Sequence, residues 1–181
     1  MCSLLRLCTV TMSALVLVDV QRNMLEGDGA VPDAEATRAR LAELLDRARG
    51  RGAVIVHVQN DGGEGDPDLP GTSGWELVFT PRPDELVVRK SEPDTFASNS
   101  ELRSDLRARG VSRLLLAGMQ SEFCIAATAR GGCANGFDVF LLSGAHTTFD
   151  QSRPASQIAE MIETELVSEG IELVDWSEAS L

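Results

Sequence analysis

Six short apolar runs punctuate the chain, at 14–20, 53–58, 85–89, 112–119, 137–142 and 171–174. Several are apolar at consecutive positions, as expected of strands covered on both faces. Between them the spacing changes to threes and fours. Ala36, Leu41, Leu44, Leu45 and Ala48 recur in this way. They predict a helix over 33–51, with Asp33 beside Pro32 at its start and Gly50 and Gly52 at its end. Helices are also predicted over 99–109, capped by Gly110, over 123–135, stopped at Gly136, and over 154–169.

Strands alternating with helices predict an α/β fold. The expected architecture is a three-layer α/β/α sandwich around an open, mostly parallel six-stranded sheet, Rossmann-like in outline. One stretch breaks the alternation: residues 60–83 form a Gly/Pro/Asp-rich loop around Trp75. Loops of that length are usually functional or mobile. No repeat, low-complexity tract or linker divides the chain. Its 181 residues suffice for one domain with a full core. Residues 13–181 are read as that domain and residues 1–12 as a disordered N-terminal extension.

Charge narrows the partners. Asp plus Glu number 28 against 16 Lys plus Arg, a net charge of −12. Phosphate binding needs a basic face, so nucleic acid is not expected as a partner. With no Tyr, two Trp and six Phe, an aromatic base-stacking platform is not expected either. The apolar run at 14–18 is far too short to span a bilayer, so no membrane partner is expected. Four cysteines stand at 2, 8, 124 and 133 without a Cys-x-x-Cys pair, and the histidines are His57 and His146. That inventory disfavours structural zinc and a disulfide framework. Reduced thiols and a cytoplasmic location are expected.

Cys124 stands out against this background. The run Leu114-Leu-Leu-Ala-Gly118 stops, Met119 and four polar or aromatic residues follow, and Cys124 opens a helical stretch. A helix N-terminus carries roughly half a positive charge and stabilises a thiolate. In open α/β sheets ligands bind beyond the carboxyl ends of the strands. Asp19 follows the first predicted strand, Lys90 the third and Cys124 the fourth. Taken singly, they read as a turn cap, a solvated charge and a core thiol. Together they supply a proton acceptor, a cation and a nucleophile. Gln21, Gln59 and Asn60 stand near strand ends, where they are candidates for orienting a polar substrate. Trp75, Phe96 and Phe123 are candidates for lining the pocket. Cys133 is read as packing, His57 as a hydrogen-bonded strand residue, and His146 as a structural or subunit-contact residue.

Four segments carry a resemblance: Leu17-Val-Asp19-Val-Gln21, Val88-Arg-Lys90 with Phe96, Ala117-Gly-Met-Gln-Ser-Glu-Phe-Cys124, and Gly144-Ala-His146-Thr-Thr-Phe-Asp150. In this order and spacing the chain resembles the isochorismatase-like cysteine hydrolases, whose members include nicotinamidase and N-carbamoylsarcosine amidase. The resemblance covers about 14–174. It implies a catalytic triad of Asp19, Lys90 and Cys124. It also implies a cis peptide at Met119–Gln120 that turns the Gln120 N–H toward the site. The backbone N–H groups of Gln120 and Cys124 are then the implied oxyanion hole. The implied reaction is hydrolysis of a C–N bond in a small amide, lactam or ureido compound through a thioester. A homo-oligomer, dimer or tetramer, is implied as well, and no cofactor.

Departures from the family pattern shape the expectation further. Isochorismatases proper lack the cysteine and cleave a vinyl ether, so Cys124 disfavours that reaction. Nicotinamidases commonly carry an Asp-x-His…His metal site after the second strand. This chain has His57-Val-Gln-Asn-Asp61 there, and a metal is not expected. Arg22-Asn23-Met24 replaces the frequent Asn-Asp-Phe, with Met24 expected to supply the apolar wall. The competing reading is a non-catalytic binding or scaffold protein on the same fold.

Overall fold

The computed structural model describes residues 12–181. The N-terminal extension expected for 1–12 therefore lies outside the described residues, except for Met12. That residue is the first of strand β1 (Met12–Val18). The chain continues through α1 (Arg22–Leu25), α2 (Ala34–Arg51), β2 (Val54–Asn60), β3 (Leu86–Lys90), α3 (Thr95–Ser98), α4 (Leu102–Ala108) and β4 (Val111–Met119). A π-helical turn, Ser121–Ile125, leads into α5 (Ala126–Ala134). Then come β5 (Asp138–Thr147), α6 (Ala155–Ser168) and β6 (Glu172–Asp175).

The six strands form one sheet in the order β3-β2-β1-β4-β5-β6. Every pairing is parallel, so "mostly parallel" becomes wholly parallel. Side chains alternate across the sheet. Ala14, Val16 and Val18 of β1 pack with Leu114 and Leu116 of β4 against Phe96, Leu102, Leu106, Ile125, Ala129 and Leu166 from α3 to α6. Leu15 and Leu17 pack with Leu115 and Ala117 against Leu41, Leu44, Leu45 and Ala48 of α2. Leu15, Leu17, Leu41, Leu44 and Leu115 are fully buried, and each such side chain contributes roughly 2–3 kcal/mol by leaving water. With both faces covered, the strands read as continuous apolar runs rather than alternating ones.

Strand order reverses between β1 and β4, because the chain moves outward through β2 and β3 and then returns. This is the switch point at which open α/β sheets hold their ligands. The two strands approach closely there. A Cβ on Gly118 would lie 2.1 Å from the Val18 carbonyl oxygen, and Gly118 has φ +122°. Only glycine fits.

Several boundaries differ from the sequence reading. The single turns α1 and α3 were not expected. They are too short for a periodic signal. The helix expected from Phe123 begins earlier, with the π turn. Strand β5 runs to Thr147, past the expected end at Leu142, because it bulges. Leu116 pairs with Leu141 but Gly118 pairs with His146. The extra residues include Gly144, at φ +78°. Among the described residues, no helix is long and apolar enough to cross a membrane.

Candidate active site

β1 delivers Asp19 and β3 delivers Lys90, which is the last strand residue rather than the one following it. Asp19 has φ +50°, a left-handed conformation uncommon for any residue but glycine. Its N–H donates to Val58 O (3.0 Å), and its carbonyl accepts from the Gln21 N–H (2.8 Å). This tight turn starts at the end of β1 and faces the carboxyl end of β4.

Lys90 Nζ lies 2.9 Å from Asp19 Oδ2, 3.2 Å from Cys124 Sγ and 3.1 Å from Asn60 Oδ1. An ammonium has three donors, and all three are engaged. Asn60 in turn donates from Nδ2 to Asp68 Oδ2 at 2.7 Å. The two side chains of the Asp19–Lys90 pair are essentially buried, at 2 % and 0 % exposure. The remaining Asp19 oxygen, Oδ1, is buried without a hydrogen-bond partner among the described residues. The Cys124 thiol lies close enough to act on that carboxyl.

Burial raises the pKa of Asp19 above its ordinary value, against the opposing pull of Lys90. Burial also works against the Lys90 ammonium, but Asp19 and Cys124 beside it hold its pKa above the ordinary lysine value. The thiol of Cys124 is pushed up to about 12, first by burial and then by Asp19. A helix N-terminus favours a thiolate, but here the balance goes the other way. The desolvation penalty and the neighbouring carboxylate outweigh the dipole. The site thus holds a proton that Asp19 and Cys124 can exchange.

The Met119–Gln120 peptide is cis. The Gln120 N–H has no hydrogen-bond acceptor among the described residues. The Gln120 carbonyl accepts from Phe123 and Ile125 (3.2 and 3.1 Å), which closes the π turn. Cys124 sits in the first turn of the helical segment, where N–H groups are ordinarily left free. The unpartnered Gln120 N–H thus stands at the start of the turn that carries the thiol.

The other expected site residues divide. Met24 Sδ lies 4.0 Å from Gln120 Nε2. Phe123, in the π turn one residue before Cys124, is 52 % exposed. Gln21 and Gln59 do not present their amides to a substrate. Gln21 Nε2 donates to Asn60 O and Trp75 O (3.0 Å each), and Oε1 accepts from the Asn60 N–H (2.8 Å). Gln59 Nε2 donates to Trp75 O (2.8 Å). Both glutamines latch the 60–83 loop instead. That loop was expected to be functional or mobile; here its Trp75 is tied through Nε1 to Asp61 Oδ1 (2.9 Å) and covered by Arg89. Phe96 is buried in the core against Phe137, ring centroids 5.7 Å apart, and does not line the site. Asp68 stands second in line behind Lys90, through Asn60. Its place in an irregular loop gives no periodic or strand-end signal.

No group of three or more His, Cys, Asp or Glu side chains among the described residues is arranged to hold a metal ion. The His57–Asp61 stretch does not supply one. His57 Nε2 is 2.8 Å from Glu85 Oε2, and Asp61 is bound by Trp75 and Arg89.

The isochorismatase domain model matches residues 13–172. A streptothricin hydrolase of Streptomyces noursei is 47% identical over 139 residues, covering 76% of this chain and 55% of that protein. The chain thus spans about half the length of that relative. Among solved structures, a putative isochorismatase of Burkholderia xenovorans superposes with a TM-score of 0.83 at 29% identity, over 93% of this chain and 85% of that one. The pyrazinamidase of Pyrococcus horikoshii in complex with zinc gives a TM-score of 0.77 at 26% identity, over 90% of this chain and 98% of that one. With the family model spanning nearly the whole chain, this protein belongs to the isochorismatase family.

Proposed function

We propose that this protein is a cysteine-dependent amidohydrolase. Its substrate is a small amide, lactam or ureido compound, cleaved at a C–N bond without a metal. The observation that carries the reading is the contact of Lys90 with both Asp19 and Cys124, at 2.9 and 3.2 Å. The names of the two relatives, a streptothricin hydrolase and a pyrazinamidase, agree with it.

Asp19 takes the thiol proton of Cys124, and Lys90 stabilises the resulting charges. The thiolate attacks the amide carbonyl. The oxyanion rests on the N–H groups of Gln120 and Cys124, each such donor being worth about 3 kcal/mol of barrier. The C–N bond breaks as Asp19 returns its proton to the departing nitrogen. A thioester remains. Asp19 then takes a proton from water, hydroxide adds to the thioester, and the Cys124 sulfur leaves and is reprotonated. Met24 and Phe123 supply apolar contact beside the reacting carbonyl. A homo-oligomer is the assembly expected for this enzyme.

The test is a panel of small primary amides, lactams and ureido compounds, scored for ammonia or amine release. The expected result is turnover of at least one class, lost in Cys124→Ala, with an acyl adduct on Cys124 by mass spectrometry. Turnover that survives Cys124→Ala, or cleavage of a vinyl ether in place of any C–N bond, overturns the reading.

A further inference from the structure

Ser121, His146 and Glu163 form a hydrogen-bonded chain that the reaction above does not use. Ser121 Oγ lies 2.8 Å from His146 Nδ1. His146 Nε2 lies 3.1 Å from Glu163 Oε1. Ser121 is completely buried and His146 is 5 % exposed. A serine, a histidine and a carboxylate in series have the composition of a nucleophilic triad. A serine at zero exposure admits no substrate, however, so the chain is not a second hydrolytic site.

Its position gives it another role. Ser121 follows Gln120 directly and precedes Cys124 by three residues, between the two N–H groups assigned to the oxyanion hole. A serine opening a helix ordinarily bonds its own local backbone. Here its hydroxyl reaches β5. It can do so because β5 bulges just before His146, and bulges next to active sites re-aim side chains. The bulge puts His146 opposite Gly118, two residues before Gln120. Glu163, on α6, fixes the ring from behind. A carboxylate only accepts, so Nε2 carries a hydrogen and Nδ1 is left to bond Ser121 Oγ. The His146 bond, with help from Ser143, holds Glu163 below its ordinary carboxylate pKa, as an ionised acceptor.

The neighbouring residue of the turn is held in the same direction. Glu122 Oε1 accepts from Thr148 Oγ1 (2.9 Å) and Gln151 Nε2 (2.6 Å), just beyond β5. Residues 121 and 122 are both tethered, while the N–H of Gln120 has no hydrogen-bond partner among the described residues. Oxyanion donors must be held within about 0.5 Å of productive geometry, and these two tethers fix the π turn to β5 and the segment after it.

We propose that His146, backed by Glu163, is a positioning residue that holds Ser121 and thereby aims the Gln120 and Cys124 amides at the developing oxyanion. The proposal rests on the amidohydrolase reading.

Two reagents separate aim from general integrity. p-Nitrophenyl acetate acylates Cys124 through an oxyanion, read as a nitrophenolate burst absent in Cys124→Ala. Methyl methanethiosulfonate modifies the same thiol without any oxyanion. Ser121→Ala and His146→Ala are expected to slow the burst about 10- to 100-fold, less than the roughly 100- to 1000-fold that outright loss of an oxyanion donor costs, since the donors are misaimed and not removed. Methyl methanethiosulfonate should still react within about twofold of the wild-type rate. The double variant should be no slower than His146→Ala, since the two act as one unit. Glu163→Gln, which keeps an acceptor for Nε2, should recover most of the burst lost in Glu163→Ala. An unchanged burst in the folded single variants overturns the proposal. So does an equal fall with both reagents, which marks mere disruption of the site. If His146→Ala does not fold, Ser121→Ala decides, because it removes a single oxygen. A wild-type enzyme with no burst on Cys124 removes the amidohydrolase reading and the proposal together.

Discussion

The Lys90 ammonium lies 3.2 Å from the Cys124 sulfur, yet the thiol is pushed up to about 12. A cation that close lowers a thiol pKa, so something stronger opposes it. Burial is the larger cause, and the Asp19 carboxylate is the next. Lys90 pairs with Asp19 at 2.9 Å, and its charge is largely directed there. The resting site is therefore a carboxylate–ammonium pair beside a neutral thiol. The nucleophile forms only as the proton crosses to Asp19, whose own pKa is raised by burial.

This makes Asp19→Asn an informative variant, because two reactions should move in opposite directions. Hydrolysis needs the carboxylate as proton acceptor and should fall by roughly 10⁴-fold or more, as for other members of a nucleophile–base unit. Removing the negative charge also removes one cause that holds the thiol up, while Lys90 remains to pull it down. Methyl methanethiosulfonate should then modify Cys124 faster at neutral pH, by up to about tenfold for each unit the pKa falls. Stopped-flow thiol modification and steady-state turnover on the same sample read both. A thiol that becomes less reactive in Asp19→Asn would contradict this account.

The pH profile follows from the same groups. The enzyme is competent when Asp19 is ionised and Cys124 keeps its proton to give. Activity should be lost as pH falls through the Asp19 pKa, and burial places that acid limb above the ordinary aspartate value of 3.8. On the alkaline side the thiol titrates only near 12, so kcat/KM should stay level through neutral and mildly alkaline pH. A plot of kcat/KM against pH checks both limbs. An acid limb at or below 3.8, or an alkaline limb near pH 8, would count against the assignment.

The reach of the sequence divides along physical lines. Asp19, Lys90 and Cys124 were legible because each stands at the end of a buried strand, and a parallel sheet brings those ends together. The two-faced core was legible for the same reason: strands such as Leu114–Ala117 are apolar throughout. Long-range hydrogen bonding was not legible. Gln21 and Gln59 look like substrate ligands by position, but their amides turn to the carbonyls of Asn60 and Trp75. Phe96 follows the lysine strand in sequence, yet α3 directs its ring into the core. The helix dipole at Cys124 can be read from the sequence, but the desolvation that raises its thiol cannot.

Gln21 gives a prediction on the loop. Its amide makes three hydrogen bonds that tie β1's end to Asn60 and Trp75. Each such bond is worth roughly 1 kcal/mol net, and buried acceptors left unpaired cost more. Gln21→Ala should destabilise the protein by roughly 2–4 kcal/mol. It should also loosen 61–85 specifically, seen as faster amide exchange there with β4 and α2 still protected. Asn60, released from its backbone anchor, should place Lys90 less well, so kcat should fall along with the stability. Uniform exchange across the chain would show instead that the latch is not local.

Acid stability should report on a different cluster, at the edge away from the chemistry. Glu85 accepts from Arg49 Nε (2.7 Å) and from the Arg82 N–H (2.9 Å), and lies 2.8 Å from His57 Nε2. Burial alone would raise its pKa, but these partners hold it at about 2 against an ordinary 4.5. A carboxyl with a depressed folded pKa stabilises the fold above its unfolded value and loses that contribution as pH falls. The window here runs from 4.5 down to about 2, and the contribution is roughly 3 kcal/mol. His57 adds an earlier loss of the same sign. Burial lowers its pKa from 6.5, so below that pH the unfolded chain takes up a proton that the folded ring resists. The combined contribution of Glu85 and His57 should therefore be level above pH 6.5 and decline in two stages beneath it. Glu85→Gln should be less stable than wild type at pH 7, and the gap should close as the pH drops from 4.5 toward 2. Urea unfolding of the pair at pH 7, 5 and 3 measures that gap, and a gap independent of pH would remove Glu85 as the acid-sensitive anchor.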